Sequence, residues 1–322
     1  MNLELQTLAM QRGGWFTRAD ALVAGYSDAD LRTYVASGRW IRIVRGAYAE
    51  PGPAVEAMPP WERASWRHAL AARAVYVRLG GRAVVSHQSA LLLHGVRVSD
   101  LDLRRVHMTR RHGPGRSDAA VCQHAARPRV DVVVKLDGVR TTLPARAVIE
   151  TVRATAYPVA VSVVDQALRL RLATRQDLAD ALEPFARRSG IRTAARAVLF
   201  GDGRAESVGE SRLRVLFADV GLPKPLPQAE IRDERGMLLA RVDFLLEQYG
   251  VIVEFDGALK YGGGATALVA EKAREDRLRD LGYQVVRICW ADLAQPATVH
   301  LRVRRAIARS GPVAGYVTAT SL

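Results

Sequence analysis

Lysine is nearly missing from this chain. Of 322 residues only Lys135, Lys224, Lys260 and Lys272 are lysine, so arginine carries almost all of the positive charge. Cysteine is almost as scarce. Cys122 and Cys289 stand far apart with no CxxC partner, which argues against a disulfide framework and a thiolate zinc site. There is no run of about 18 apolar residues to span a bilayer. The start, Met1 to Gln6, lacks the basic region and apolar core of a signal peptide, so a cytoplasmic protein with no membrane partner is expected. What is present is a formal charge of +14 on a chain that is 49% hydrophobic and 25% charged. The balance describes a folded protein, and the length implies two or three domains. The charge points to a polyanionic partner, with nucleic acid ahead of an anionic membrane surface. A genome biased toward arginine codons would produce part of that charge without selection for binding.

The chain is organised around the segment 241–257, which reads as a β-hairpin. With Gln248 and Tyr249 at the turn, residues equidistant from it face each other, setting Asp243 opposite Glu254. Asp256 follows one pleat further on the same face. Val242, Phe244, Leu246, Val251, Val253 and Phe255 would fill the other face, with Leu245 and Ile252 near the turn on the acidic one. Three carboxylates so close need a shared proton or a cation, and a divalent metal is the obvious candidate.

The first fifty residues read as two short helices and a basic wing. A Thr17 cap starts one helix that Gly25 ends, and Ser27 to Asp30 forms a capping-box start for a second, stopped by Gly38. Trp40 to Tyr48 then alternates like a strand, with a glycine where a wing would turn. In a winged helix of this outline, Arg32 and Ser37 lie on or near the recognition helix, and Arg39, Arg42 and Arg45 reach phosphates or a minor groove. A helical protein-interaction domain with solvated arginines fits the same pattern. Gly14 to Ser27 and Val35 to Ala49 resemble the N-terminal winged helix of AbiEi-type antitoxins. That likeness implies a DNA-binding, often autoregulatory, module and a toxin or other protein as a further partner.

After the prolines between Pro51 and Pro60, helices are expected at Trp61 to Leu79 and Gln88 to His94. Strands are expected at Arg82 to Val85, Val106 to Thr109, Val130 to Leu136 and from Val139, with Asp137-Gly138 turning the last pair. Ser86 and His87 are neighbours in sequence, which favours a helix cap and a packing histidine over a nucleophile and its base. His94, His107, His112 and His124 show no metal-ligand spacing. Ser86 to Gly95, Val106 to Thr109 and Gly138 to Thr142 resemble the central region of the same antitoxin-like proteins, a likeness that assigns no chemistry.

From Gly201 onward a new unit opens. Ser207-Val-Gly-Glu210 reads as a capping box whose helix carries the stripe Leu213, Leu216, Phe217 and Val220, and Glu210 lies on the stripe side. Helix, three-stranded meander, helix and strand make an α/β sandwich. This order, with Asp243, Glu254-Phe-Asp256-Gly257, the charged stretch Glu271 to Tyr283 and Val286 to Trp290, resembles the PD-(D/E)xK fold in its very-short-patch-repair-like branch. The resemblance implies that Asp243 and Glu254 hold Mg²⁺ (or Mn²⁺) with Glu210 an outer ligand, for DNA cleavage through a metal-bound water. Asp256 stands where that family has lysine, so Lys260 or Lys272 is the candidate for the missing cation. Arg274 and Arg277 are candidates to line DNA, although a helix rich in both signs is more often a solvated face.

The fold expected is therefore an α/β multidomain chain. A winged helix spans 1–53, a mixed α/β middle domain 59–200, and a restriction-endonuclease-like α/β sandwich 204–310. Two activities compete: a metal-dependent endonuclease acting on double-stranded DNA, and a transcriptional repressor or antitoxin-like DNA-binding protein whose nuclease-like domain is inactive. An RNA-processing nuclease fits the charge but not the winged helix.

Overall fold

The computed structural model describes residues 1–97, 99–110, 117–125, 132–233, 235–257, 265–312 and 316–319, with side chains of the helix opening at 265 described from 272 onward. The chain folds as two compact units. One consists of Met1–Thr155 with Leu172–Ala194, the other of Ala156–Arg171 with Ala195–Leu322. No helix among the described residues is long and apolar enough to cross a membrane.

The first unit begins with α1 (Leu3–Gln11), β1 (Phe16–Thr17), α2 (Arg18–Val23), α3 (Asp28–Ala36), β2 (Ile41–Val44) and β3 (Ala47–Ala49), the strands in the order β1-β3-β2. That is winged-helix connectivity. Helix α1 was not expected from the sequence, because its apolar residues form only a short stripe with Leu5 and Ala9 buried. Thr17 and Ser27 cap α2 and α3 through complete capping boxes with Asp20 and Asp30. Trp40, 1% exposed, is the hub of the core: Phe16, Tyr26 and Tyr34 pack on it with ring centroids 4.9, 5.1 and 4.7 Å away. Fully burying one such side chain stabilises by about 1.5–3 kcal/mol.

The chain continues through the single turn α4 (Pro53–Glu56), α5 (Pro60–Arg78), β4 (Ala83–Val85), α6 (His87–Leu93), β5 (Val106–Arg110), β6 (Val121–Ala125), β7 (Val133–Leu136), β8 (Val139–Thr142) and α7 (Pro144–Val152). The strands make a mixed sheet of order β6-β5-β4-β8-β7, with β4 parallel to β8 and β5 parallel to β6. Strand β6 went unforeseen, since Val121–Ala125 mixes polar and apolar residues without regular alternation. Helix α5 braces the wing, where Leu70 and Ala74 join Trp15, Ile43, Ala47 and Ala49 in one buried cluster.

Next come α8 (Tyr157–Arg169), α9 (Arg175–Asp180), α10 (Ile191–Phe200), α11 (Val208–Asp219), β9 (Leu226–Arg232), β10 (Leu238–Leu246), β11 (Val251–Asp256), α12 (Ala265–Asp280), β12 (Gln284–Cys289), α13 (Pro296–Arg309) and β13 (Tyr316–Ala319). The sheet of the second unit runs β12-β11-β10-β9-β13, antiparallel except for β11 with β12. Helices cover both faces. Leu213 and Phe217 of α11 and Val299 and Val303 of α13 pack on Phe244, Val253 and Phe255. On the other side Leu278 of α12 packs with Ala240, Val242, Leu245 and Ile252. The mixed α/β multidomain class thus stands.

Candidate nucleic-acid interface and acidic face

The wing is a two-residue hairpin, Arg45-Gly46, with Gly46 at φ 77° as a tight turn requires. Ile43 points into the cluster under α5, so alternation turns Arg42 outward, and the Arg67 guanidinium donates to the Arg42 carbonyl at 2.7 Å to fix the strand. Arg32, Arg42 and Arg45 are exposed and make no ion pair among the described residues. Arg39 is used locally: it pairs with Glu50 at 3.2 Å and lies over the Tyr34 ring at 4.7 Å. Ser37 closes α3, its hydroxyl donating to the Tyr34 carbonyl. The acids at the start of α3 are also engaged. Arg18 binds Asp28 bidentately and holds its carboxyl below the usual carboxylate range, and Asp30 completes the capping box. What remains outward on helix and wing is cationic.

On the acidic face the hairpin register has the expected geometry. Leu246 pairs with Val251 and Phe244 with Val253, a frame that sets Asp243 against Glu254. The crowding of three acids does not follow, because the β10–β11 ladder stops at Phe244 and the strands diverge there. Beyond that point the Asp243 carboxylate accepts the Phe255 N–H at 2.8 Å, where a backbone carbonyl would stand. Val242 also departs from expectation, packing with Leu245 and Ile252 rather than with Phe244. The phase slips at Asp243, opposite which Gln228 takes a left-handed φ of 53°. Gln228 was not singled out in the sequence, which gives no local sign that a strand glutamine will be held in so strained a conformation.

Glu210 is brought to this place by its neighbour. A Cβ on Gly209 would lie 1.9 Å from the Phe255 ring, so only glycine lets α11 sit this close to β11. The Ser207 hydroxyl accepts the Glu210 N–H, but the Glu210 carboxylate turns inward, accepting from Glu206 N at 2.9 Å and Gln228 Nε2 at 3.0 Å. The capping box is therefore half formed. Burial, helped by the charge of Asp243, pushes Glu210 up to about 7.

Glu254 has different company. Arg274 of α12 meets it at 2.7 Å and Arg287 of β12 stands 4.0 Å away. Among the described residues the cations beside Glu254 are thus Arg274 and Arg287, while Lys272 is exposed on α12 and Lys260 lies outside the described residues. Arg277 is exposed, donating to the Ala273 carbonyl. Asp256, half-buried, ends β11 beside Cys289.

Carboxylate oxygens are the donors Mg²⁺ takes. Among the described residues, however, Asp243, Glu254, Asp256 and Glu210 do not converge as a group of three ligands. Glu254 is neutralised by arginine and Asp243 is held by a backbone N–H, so this arrangement does not fit the ion. The side of α12 that carries Arg274 closes on the acids.

Comparison with known proteins bears on the first of these two faces. Residues 4–51 match the family described as "Transcriptional regulator, AbiEi antitoxin". The AbiEi-type segment coincides with α1 through β3 and so contains both α3 and the wing. Two uncharacterized proteins from two strains of Mycobacterium tuberculosis are 28% identical to the chain over 282 residues, 87% of this chain and 97% of theirs. The likeness to those relatives therefore runs well past the AbiEi-type domain.

Proposed function

We propose that the chain is a DNA-binding transcriptional regulator of the antitoxin type, with double-stranded DNA held by α3 and the wing. Its C-terminal sandwich, restriction-endonuclease-like in element order, serves as a structural or partner-binding domain without turnover. The observation that carries the reading is the outward set Arg32, Arg42 and Arg45, exposed and free of ion pairs among the described residues, on elements fixed from behind by Trp40 and α5. Such cations displace the counterions condensed on phosphates, so binding should weaken steeply with salt. The AbiEi-type match supports regulation, and a toxin-system protein is the further partner it suggests. For the C-terminal domain, the pairing of Glu254 with Arg274 and the lysine-free Glu-x-Asp support inactivity.

Fluorescence anisotropy on a duplex from upstream of the chain's own gene, against a scrambled duplex, tests the reading. Tighter binding to the first is expected, and Arg42→Ala and Arg45→Ala should each reduce the salt slope by about 1. Equal, salt-insensitive binding by both variants and the parent would sink it. Plasmid incubated with Mg²⁺ or Mn²⁺ should stay intact. Cutting abolished by Asp243→Ala and Glu254→Ala would instead establish an endonuclease.

A further inference from the structure

Three histidines that sequence spacing kept apart come together in the first unit. His87 opens α6, His107 lies on β5 and His124 on β6, and one ring nitrogen of each falls within 4.8 Å of the others. The parallel pairing of β5 with β6 puts His107 and His124 on one face, with Thr109 opposite His124 and His107 opposite Cys122. The gathering is a product of topology. No local motif spans strands joined by a crossover, which is why the spacing looked uninformative.

The rings are fixed by one another and by their neighbours. His87 and His124 stack at 3.8 Å with planes 14° apart, and His107 Nδ1 lies 2.9 Å from His124 Nε2. Gln88 Nε2, which can only donate, faces His107 Nε2 at 3.0 Å. His107 therefore carries its proton on Nδ1 and shares it with His124 Nε2. His87 adopts φ 55°, a left-handed conformation that costs a non-glycine residue energy, and its N–H is fixed by Glu150 Oε2 at 3.3 Å. His87 Nδ1 lies 3.0 Å from Ser86 Oγ and 3.6 Å from that same carboxylate, and Nε2 has no hydrogen bond among the described residues. Glu150 is itself buried and fixed by Arg146 at 2.7 Å. The ring is thus oriented by the Ser86 hydroxyl at Nδ1 and its backbone by the Glu150 carboxylate beyond, the kind of supporting shell that orients metal-binding imidazoles.

We propose that His87, His107 and His124 bind one borderline transition-metal dication, Zn²⁺ by ordinary availability, with a fourth position open. Imidazole nitrogen selects such ions over Mg²⁺. The metal takes the place of the hydrogen shared by His107 and His124. The His107 proton then sits on Nε2, and Gln88 turns its amide oxygen to accept it, giving up the bond to the Asp102 carbonyl. No redox change is involved. Neutral imidazole is the form that ligates.

The test uses the full chain purified without a histidine tag and stripped with chelator. Titration with Co²⁺ should give one equivalent bound, with visible ligand-field bands that Zn²⁺ displaces and equal Mg²⁺ does not. His107→Ala and His124→Ala should each lose at least tenfold in affinity, and Glu150→Gln about 10- to 100-fold, whereas Cys289→Ser should keep it. Circular dichroism shows whether each variant folds. If one does not, Cu²⁺ electron paramagnetic resonance on the unaltered chain should show three nitrogen ligands. Absence of stoichiometric Co²⁺ binding, fewer nitrogens, or binding lost in Cys289→Ser but kept in the histidine variants would overturn the proposal.

Discussion

The AbiEi-type segment at the N-terminus and the acidic sandwich at the C-terminus treat charge in opposite ways. In the first, acids are spent on capping and on Arg18, and Arg32, Arg42 and Arg45 are left to solvent. In the second, acids meet partners inside the domain: Glu254 with Arg274, Glu210 with Gln228, and Asp165 with Arg214. A surface with uncompensated cations is ready for a polyanion. A face whose charges are already paired gains less from any ligand and contributes more to how the domain is built.

The comparison breaks most easily at Asp165. This residue is fully buried, bonded to Arg214 at 2.8 Å and to the Asp202 N–H at 2.6 Å, and burial raises it to about 6. Arg214→Ala would strand the carboxylate, and a loss of about 3–5 kcal/mol in urea unfolding is expected. A loss under about 1 kcal/mol would mean the charge is not truly held inside. Glu210 comes next. Its folded pKa of about 7 lies above the ordinary 4.5, so its stabilisation is full below about pH 4.5 and is lost as pH rises through 7. The shift corresponds to roughly 3 kcal/mol. Because Asp165 is raised as well, both profiles should fall; unfolding followed from pH 4 to 8 in chelator should show the parent losing roughly 3 kcal/mol more than Glu210→Gln, and parallel profiles would remove Glu210 from the pH response. Gly209→Ala should cost about 1–3 kcal/mol, because α11 must back away from Phe255. Moving Glu210 away from Asp243 should also lower its pKa, observable by carboxyl-selective NMR.

Much of this was legible in the chain itself. The Thr17 cap, the Ser27 capping box, the Asp137-Gly138 turn and the hairpin register about Gln248 and Tyr249 are short-range patterns, and each is found where the sequence puts it. The acidic site was only half legible. Which strand residues face each other follows from counting, but the partners the acids take, Gln228 of a third strand for Glu210 and Arg274 of a helix for Glu254, lie far off in sequence. The histidine group was not legible at all, since His87, His107 and His124 meet only through a parallel crossover.

The finest test lies within the AbiEi-type segment, where Arg39 and Arg45 look alike in sequence and differ in place. Arg39 is tied to Glu50 and stacked on Tyr34, while Arg45 stands at the wing tip with no ion pair among the described residues. Surface pairs contribute about 0–1 kcal/mol, so Arg39→Gln should lower stability slightly and leave the salt slope of DNA binding near its parent value. Arg45→Gln should do the reverse, with unfolding unchanged within about 0.5 kcal/mol and the slope reduced by about 1. If both variants shift the slope equally, the Glu50 pair opens on DNA, and the division between spent and available charge would then describe the free protein only.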